Sequence, residues 1–257
     1  MHRFSVEFAV LKYAIKYSIG RYQIRINFWF LIIFLLVQTL LNELGFWQLS
    51  RAQEKQVRIV QLEKGAQSKL TNLSELTESH IQQFQSVAVN LQLASNDILL
   101  LDNKIDNQRP GYHVLNVAED HLSGRHLLVN RGWIWAGNDR NEFPRVELPS
   151  RDWQVDARVY PIPEKSISTS LAKLEISSDF IRLPVLDKQV VEKLEKHLGV
   201  SLEPYLLRLN SDSEAALKAN WVWTNMSPEK HLAYAIQWFA LALAFLIVSL
   251  IVCIKKR

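Results

Sequence analysis

The sequence predicts a membrane protein in which two transmembrane helices flank an α+β extracytoplasmic domain built mainly on an antiparallel β-sheet or small barrel. Segments 26–46 and 232–254 predict the helices, because each is apolar and long enough, at about 18 residues or more, to cross the hydrocarbon core. Short stretches between them alternate apolar and polar residues and end at turn signals, which predicts the sheet. The expected domains are a basic tail 1–25, a helix 26–46, an outer domain 47–230, a helix 231–254 and a tail 255–257.

Basic residues in the short flanks of the spans predict the orientation. The first tail has a single acid, Glu7, among its basic residues, and the second span is followed by Lys255, Lys256 and Arg257. The positive-inside rule places both termini in the cytoplasm and the domain between the spans outside it. We expect residues 1–25 to lie on the membrane surface as a short amphipathic helix. The basic residues before the first span are Arg3, Lys12, Lys16, Arg21 and Arg25.

Two kinds of targeting segment are alternatives to this topology. A cleaved signal peptide fits the first span poorly, because the apolar run is too long and no small-residue cleavage site follows it. A mitochondrial presequence would be rich in Arg and Ser, and residues 1–25 hold few of either. We therefore predict a two-pass protein of the bacterial inner membrane with a periplasmic central domain. Only the composition of residues 1–25 favours a bacterial inner membrane over a mitochondrial one.

Composition and motifs disfavour several functional classes. The formal net charge is +4 and the pI is about 9.1, but the excess lies mainly in the two tails, so it indicates topology and not nucleic-acid binding. The single cysteine, Cys253, lies inside the second span, which leaves no cysteine pair for a disulfide or for copper transfer. His113, His121 and His126 do not have a recognised zinc spacing. No nucleophile elbow, P-loop or dinucleotide fingerprint appears, so we do not expect an enzyme.

Between the spans the pattern changes from helix to strand. The first helix is expected to continue through residues 45–55, and residues 56–83 are predicted to be helical and polar. Asp187 to His197 is the clear helix of the later part, and Gly199 stops it. Residues 164–179, rich in Ser and Lys, are predicted to be an exposed loop. The predicted strands are 84–93, 98–101, 112–117, 126–135, 153–160, 181–185 and 205–209, with turns at Arg109–Gly111 and Ser123–Gly124.

The sharpest group of candidate site residues opens the second span. His231, Tyr234, Ala235 and Trp238 share one helix face at spacings i, i+3, i+4 and i+7. An imidazole at the outer bilayer edge between aromatic side chains suits a flat lipophilic macrocycle such as haem, with imidazole on the iron. Arg51, at the outer end of the first span, is expected at similar depth and would pair with a propionate. His, Tyr and Trp are also common in interfacial belts, so a packing role stays open.

Four short segments carry a family resemblance: Leu44–Arg51 with Lys55, Gly111–Leu115, Val129–Trp133 and His231–Phe239. Their order, their spacing and the two-span layout resemble the Surfeit-locus family of cytochrome c oxidase assembly factors, over nearly the whole chain from about residue 27. The sequence departs from the family at Asn116-Val117, where Thr-Pro is expected. It also departs in the loop 164–179, which matches no family segment.

The resemblance implies a function that the residues alone do not show. The family helps to mature subunit I of haem–copper oxidases, and its bacterial members are linked to haem a. The implied partners are cytochrome c oxidase subunit I, a haem a synthase and the lipid bilayer, and nucleic acid is not among them. By position, His231 would be the ligand of the haem a iron. The other cofactor-binding residues that the resemblance implies are Tyr234, Trp238, Arg51, Trp47 and Gln48.

Three other functional classes are weighed against a haem-handling assembly factor. The main alternative is a cofactor-free membrane chaperone that holds subunit I during oxidase assembly. In it, Asn130 to Trp133 would form a contact surface, although the same residues also fit a strand terminus with a bulge. A membrane sensor is disfavoured because three residues follow the second span. A membrane-anchored hydrolase would need a nucleophile and a base, and the sequence presents no recognisable set.

Overall fold

The computed structural model of the chain describes residues 6–9, 14–19, 22–139, 142–166, 174–177, 180–223 and 226–256. The chain divides into two compact units, which we name the helical unit (residues 1–57 and 224–257) and the β unit (residues 58–223). In the described part, two helices are long and apolar enough to span a membrane. The predicted fold class, two spans on either side of a β-rich domain, is confirmed.

The helical unit is built on α1 (Phe28–Gln67), whose last turns belong to the β unit, and on α4 (Pro228–Cys253). The expected continuation of the first span as helix is confirmed, because α1 runs unbroken for 40 residues. The two helices meet at ring contacts and at a glycine. Phe34 stacks on Phe245 with ring centroids 5.6 Å apart. A Cβ at Gly45 would lie 2.6 Å from Cε1 of Phe239, so only glycine admits that ring as it stands.

A small antiparallel sheet accompanies the two helices of this unit. The expectation of an amphipathic helix over residues 1–25 is wrong for the described residues, and residues 1–5, 10–13 and 20–21 lie outside them. Apolar residues alternate through Tyr22, Ile24 and Ile26, a period of two that favours a strand over a helix. The strands are β1 (Val6–Ala9), β2 (Ala14–Ile19), β3 (Tyr22–Asn27) and β13 (Ile254–Lys256), paired in that order.

The β unit is organised around a closed barrel of five strands, as far as its described residues show. They are β5 (Ser86–Leu93), β7 (Arg109–Asp120), β8 (His126–Trp135), β12 (Leu202–Leu209) and β9 (Asp152–Pro161). The ring closes because β5 pairs with β9 on one edge and with the end of β7 on the other. Its pairs are antiparallel except β8 with β12, which is parallel. The expected small barrel is therefore present, with one parallel pair that the sequence did not predict.

Further strands extend the sheet beyond the ring. Next to β7 lie β6 (Ile98–Asp106), then β11 (Phe180–Leu183) and β10 (Glu175–Ile176), and β4 (Lys69–Leu70) pairs with β5. Of the predicted loop 164–179, residues 167–173 and 178–179 lie outside the described part, and β10 occupies part of the rest.

Three buried apolar clusters lie in the described part of the β unit, the smallest around Tyr112 and Val114, and the two larger ones hold most of the core. The first fills the barrel and includes Val89, Val129, Val155 and Leu207, none more than 3% exposed. The second lies on the outer face of the sheet, where Leu115, Leu128 and Leu206 pack with Val190 and Leu194 of α3 (Lys188–Leu198). The predicted helix is confirmed together with its stop at Gly199, and the structure adds a cap at Asp187. The Asp187 side chain accepts a hydrogen bond from Val190 N, and Gly199 ends the helix at φ +71°.

The segment between the first span and the barrel is less helical than predicted. Over the predicted helix 56–83, α1 ends at Gln67 and β4 follows, and then come a 3-10 turn, Leu73–Glu75, and the short helix α2, Glu78–Gln82. The side chains of Asn72 and Thr77 cap these two turns, and such caps favour short turns over a continuous helix. The turn also buries Leu73, 1% exposed, in the barrel core.

Of the two predicted turns, one is confirmed and one is shifted. Gly124 has φ +66° in the turn that follows β7, as the Ser123–Gly124 signal indicates. The turn predicted at Arg109–Gly111 falls instead on Asn107 and Gln108, with φ of +45° and +65°. Two successive left-handed residues suit the twist of a tight hairpin, so β7 already begins at Arg109.

Candidate functional site

A buried histidine opens α4. Pro228 occupies the first turn of the helix, where its missing N–H costs nothing, and His231 follows on the same turn, 8% exposed. His231 Nδ1 lies 2.7 Å from Oε1 of Gln48 on α1. A carbonyl oxygen only accepts, so Nδ1 is the donor, and in a neutral ring Nε2 would then keep its lone pair. This is the partner arrangement that orients imidazoles bound to metals, and the pair therefore fits a haem-iron ligand.

The aromatic neighbours predicted for His231 have unequal environments. Ala235 is fully buried, Trp238 is half-buried, and Tyr234 is 45% exposed. The helix face predicted from spacing is therefore divided: its His231–Ala235 side lies inside the unit, and Tyr234 presents its ring outward. An exposed tyrosine beside a half-buried tryptophan leaves flat apolar surface for a lipophilic ligand or for lipid.

Trp47 and Arg51, predicted on the facing end of the first span, form a group of their own on α1. The Arg51 guanidinium lies 5.7 Å from the Trp47 ring centroid. Its Nη1 is 2.7 Å from Oε2 of Glu54, an acid that the sequence reasoning missed although the i, i+3 spacing signals it. Both partners are about half exposed, so the ion pair is weak, at about 0–1 kcal/mol, and an anionic ligand group would compete with it at small cost.

The central motif of the chain, Val129–Trp133, is built into the barrel. Arg131 is 4% exposed and donates from Nε to the Ala215 carbonyl and from Nη1 to that of Glu147, at 2.8 and 2.7 Å. Gly132 has φ +126°, and a Cβ there would lie 2.7 Å from the Lys218 carbonyl oxygen. The pairing of β7 with β8 shifts register at this point, so the bulge alternative is confirmed. The interpretation as a contact surface is wrong for Asn130 and Arg131, because both are buried.

The second motif, Gly111–Leu115, packs against the central one. A Cβ at Gly111 would lie 2.4 Å from Nε1 of Trp133, so the indole crosses the strand over this glycine. His113 is 3.1 Å from Oδ1 of Asn220, and its ring meets that of Trp221 edge-on at 5.1 Å. Burial, assisted by the charge of Lys104, lowers the pKa of His113 to about 4. The two motifs thus serve the architecture of the β unit.

The other two histidines that the sequence reasoning considered lie apart, each beside a different carboxylate. His121 faces Asp152 at 3.1 Å and His126 faces Glu119 at 3.8 Å. Among the residues that the structure describes, no three His, Cys, Asp or Glu side chains are grouped so as to hold a metal ion.

The fold and the His231–Gln48 pair define a class: a β-barrel protein with two candidate membrane helices and an oriented histidine at the head of the second. A family model described as the SURF1 family matches residues 35–243, and the chain belongs to that family. The resemblance drawn from the four motifs is thereby confirmed, and the family is one of oxidase assembly factors.

Three proteins named SURF1-like protein are similar over most of their length. The one from Rickettsia felis is 26% identical over 235 residues, 86% of this chain and 95% of the relative. That from Rickettsia conorii is 26% identical over 225 residues, which are 83% and 86% of the two chains. That from Rickettsia prowazekii is 26% identical over 233 residues, which are 88% and 89%. Each similarity therefore covers most of this chain and most of the relative.

Proposed function

We propose that this protein assists the maturation of subunit I of a haem–copper cytochrome c oxidase by binding haem a, with His231 as the iron ligand. The observation that carries the proposal is the Gln48–His231 hydrogen bond, because it fixes the imidazole tautomer that leaves Nε2 as the ligand nitrogen. Family membership supports the role in oxidase assembly. The residues of this site are supplied by α1 and α4, and the proposal needs no enzymatic step.

Each predicted site residue has a role in this proposal. His231 would hold bound haem a, which would supply an iron that accepts an imidazole nitrogen. Gln48 holds the His231 ring and its proton in place. The exposed ring of Tyr234 and the half-buried ring of Trp238 offer flat faces to a macrocycle. Arg51, stacked by Trp47, exchanges its weak ion pair with Glu54 for an anionic group of the ligand.

The proposal also names the compartment and the partners. The two helices would cross a bacterial inner membrane with cytoplasmic ends, and the β unit would lie in the periplasm. Basic residues in the flanks of both spans support this orientation. The partners would be oxidase subunit I, as the recipient, and a haem a synthase, as the source.

The proposal is tested by the visible absorption of the full-length protein, purified in detergent from cells that make haem a. A reduced haem a band in the wild type and its loss in His231→Ala would support it. His197→Ala is the matched control, because His197 is an exposed histidine on α3 and the band should persist. A band retained in His231→Ala would place the ligand elsewhere. No band in folded wild-type protein would overturn the haem proposal.

A second function, a cofactor-free chaperone for subunit I, is favoured by one observation. In their most apolar windows, α1 is 6% and α4 is 17% buried, so both present long apolar faces outward. Such faces suit lipid or the helices of an unfinished membrane subunit. Co-purification of subunit I with His231→Ala at the wild-type level, in the absence of a haem band, would favour this function over haem binding.

A further inference from the structure

A group of arginines lies on the outer face of the barrel. Arg158 of β9 and Arg208 of β12 are directly opposite each other in the antiparallel pairing. Their neighbours Val159 and Leu207 point into the barrel core, so the two arginines point to the other face of the sheet. Like charges directly opposite on adjacent strands are destabilising, which makes this pair unusual for a purely structural element.

Aromatic rings enclose these arginines. The Arg208 guanidinium carbon is 3.4 Å from the ring centroid of Tyr160 and 5.2 Å from that of Trp223. Arg158 lies over the same Trp223 ring at 5.7 Å. A third arginine, Arg58 near the end of α1, lies 4.9 Å from the Phe84 ring, which itself contacts Trp223. We name these six residues the arginine–tryptophan cluster: Arg58, Phe84, Arg158, Tyr160, Arg208 and Trp223.

The three positive charges of the cluster have no carboxylate partner among the described residues. No described carboxylate lies within ion-pair distance of Arg58, Arg158 or Arg208. Arg158 Nη1 donates to the Leu62 carbonyl at 3.1 Å, whereas the buried Nε atoms of Arg58 and Arg208 form no hydrogen bond with the described residues. Burial is the largest effect on the pKa of Arg158 and of Arg208 and lowers both, although a hydrogen bond to Tyr160 opposes it at Arg208. An anion would relieve the repulsion and satisfy the two unpaired Nε groups.

The sequence positions of the cluster favour a lipid as the source of that anion. Arg58 lies on the helix that carries the first span, and Trp223 stands a few residues before Pro228, where the second span begins. Tryptophan and tyrosine are the residues that concentrate at lipid headgroups, and basic residues next to spans bind anionic lipids. Guanidinium groups bind phosphate oxygens in pairs, and three of them converge here.

We propose that the arginine–tryptophan cluster binds the phosphate group of an anionic phospholipid headgroup. The guanidinium groups of Arg158 and Arg208 take the phosphate oxygens, and Arg58 adds a third positive charge. The Trp223 and Tyr160 rings hold the guanidinium planes in place by cation–π contact. The site is independent of His231, and it would exist whether or not the protein binds haem.

The experiment is a titration of the purified full-length protein in nonionic detergent with phosphatidylglycerol, with bound lipid counted by native mass spectrometry. Phosphatidylcholine and inorganic phosphate are parallel probes that separate an anionic lipid from a zwitterionic one and from a free ion. The wild type should retain one phosphatidylglycerol in preference to phosphatidylcholine. Arg208→Gln and Arg58→Gln should each weaken this binding by about tenfold, the loss of one charged hydrogen-bonding group.

Two controls separate this site from other surfaces. Arg109→Gln removes an exposed arginine that stacks on Trp135 at 5.9 Å, and it should leave lipid binding unchanged. His231→Ala should also leave it unchanged, so failure of the haem proposal would not be confused with failure of this one. The unfolding temperature without lipid should not fall in Arg58→Gln, because the substitution relieves repulsion.

Three results would overturn the proposal. The first is equal phosphatidylglycerol affinity in the wild type and in folded Arg58→Gln and Arg208→Gln. The second is equal binding of both lipids. The third is binding of inorganic phosphate by the wild type with no preference for phosphatidylglycerol over phosphatidylcholine. That result would assign the cluster to a free anion.

Discussion

Different interactions stabilise the helical unit and the β unit, each within itself. The β unit buries three apolar clusters in its described part, with residues such as Leu99, Val155 and Leu207 removed from solvent. The helical unit buries few side chains, among them Ala235, Ala242 and His231, and leaves most of its large apolar residues exposed. In water, burial of apolar surface drives folding. In a bilayer the surroundings are as apolar as the helices, so burial of apolar surface no longer drives their association. Close packing and hydrogen bonds between the helices stabilise it instead.

The largest expected effect is a loss of core in the β unit. Leu207→Ala removes a side chain that is fully buried in the barrel, and it should lower the free energy of unfolding by about 3 kcal/mol. Leu243→Ala, its control on α4, removes a side chain that is 58% exposed and should have little effect in detergent. Urea unfolding followed by tryptophan fluorescence measures both. Equal losses would show that the two units are stabilised alike.

A pH effect of comparable size is expected in the β unit. The pKa of His113 is lowered to about 4 in the folded state, from an ordinary value of about 6.5, so the unfolded chain binds a proton that the folded chain does not. The contribution of His113 to the free energy of unfolding is fully present above pH 6.5 and is lost as the pH falls toward 4. The loss is at most about 3 kcal/mol. The free energy of unfolding, measured between pH 7 and pH 4, should fall less steeply in His113→Gln. An identical slope in that variant would contradict the assignment.

A smaller effect tests close packing in the helical unit. Gly45→Ala places a methyl group 2.6–3.0 Å from the Phe239 ring, and the ring must move. We expect a loss of about 1–2 kcal/mol, since overpacking displaces a side chain without breaking the helix. Phe239→Leu in the same chain should restore much of the loss. Thermal unfolding in detergent measures the pair, and absence of rescue would show that the ring is not the obstacle.

The smallest expected effect concerns the polar pair of the helical unit. Gln48→Ala leaves His231 Nδ1 without its partner and should cost about 1 kcal/mol, the usual size for such bonds between membrane helices. A double-mutant cycle with His231→Ala isolates the coupling between the two side chains. Additive losses would mean that the hydrogen bond contributes nothing to stability, although it could still orient the ring.

Features that depend on a local pattern were predictable from the sequence. The spans follow from the absence of charge over 232–254, and β9 follows from strict alternation through Val155, Ala157 and Val159. The helix α3 follows from its stop at Gly199. Each signal lies within about twenty residues, so no knowledge of the fold is needed to interpret it.

Features that depend on distant partners were not predictable. The barrel includes the parallel pairing of β8 with β12, two strands that are far apart in the chain. The bulge at Gly132 contacts the segment near Lys218, whose carbonyl accepts a hydrogen bond from Trp133 N. Likewise, spacing placed His231 on a helix face, but its partner Gln48 lies 183 positions away, and only the fold brings the two together.

The described sheet of the β unit ends at β10 on one side and at β4 on the other, each two residues long. A strand of that length offers few unpaired backbone groups to a neighbouring molecule, and the five central strands have no free edge strand because their ring is closed. The domain is therefore protected against edge-to-edge aggregation, without cysteines to cross-link it. A domain with such short edge strands can persist at high local concentration without polymerising with its own copies.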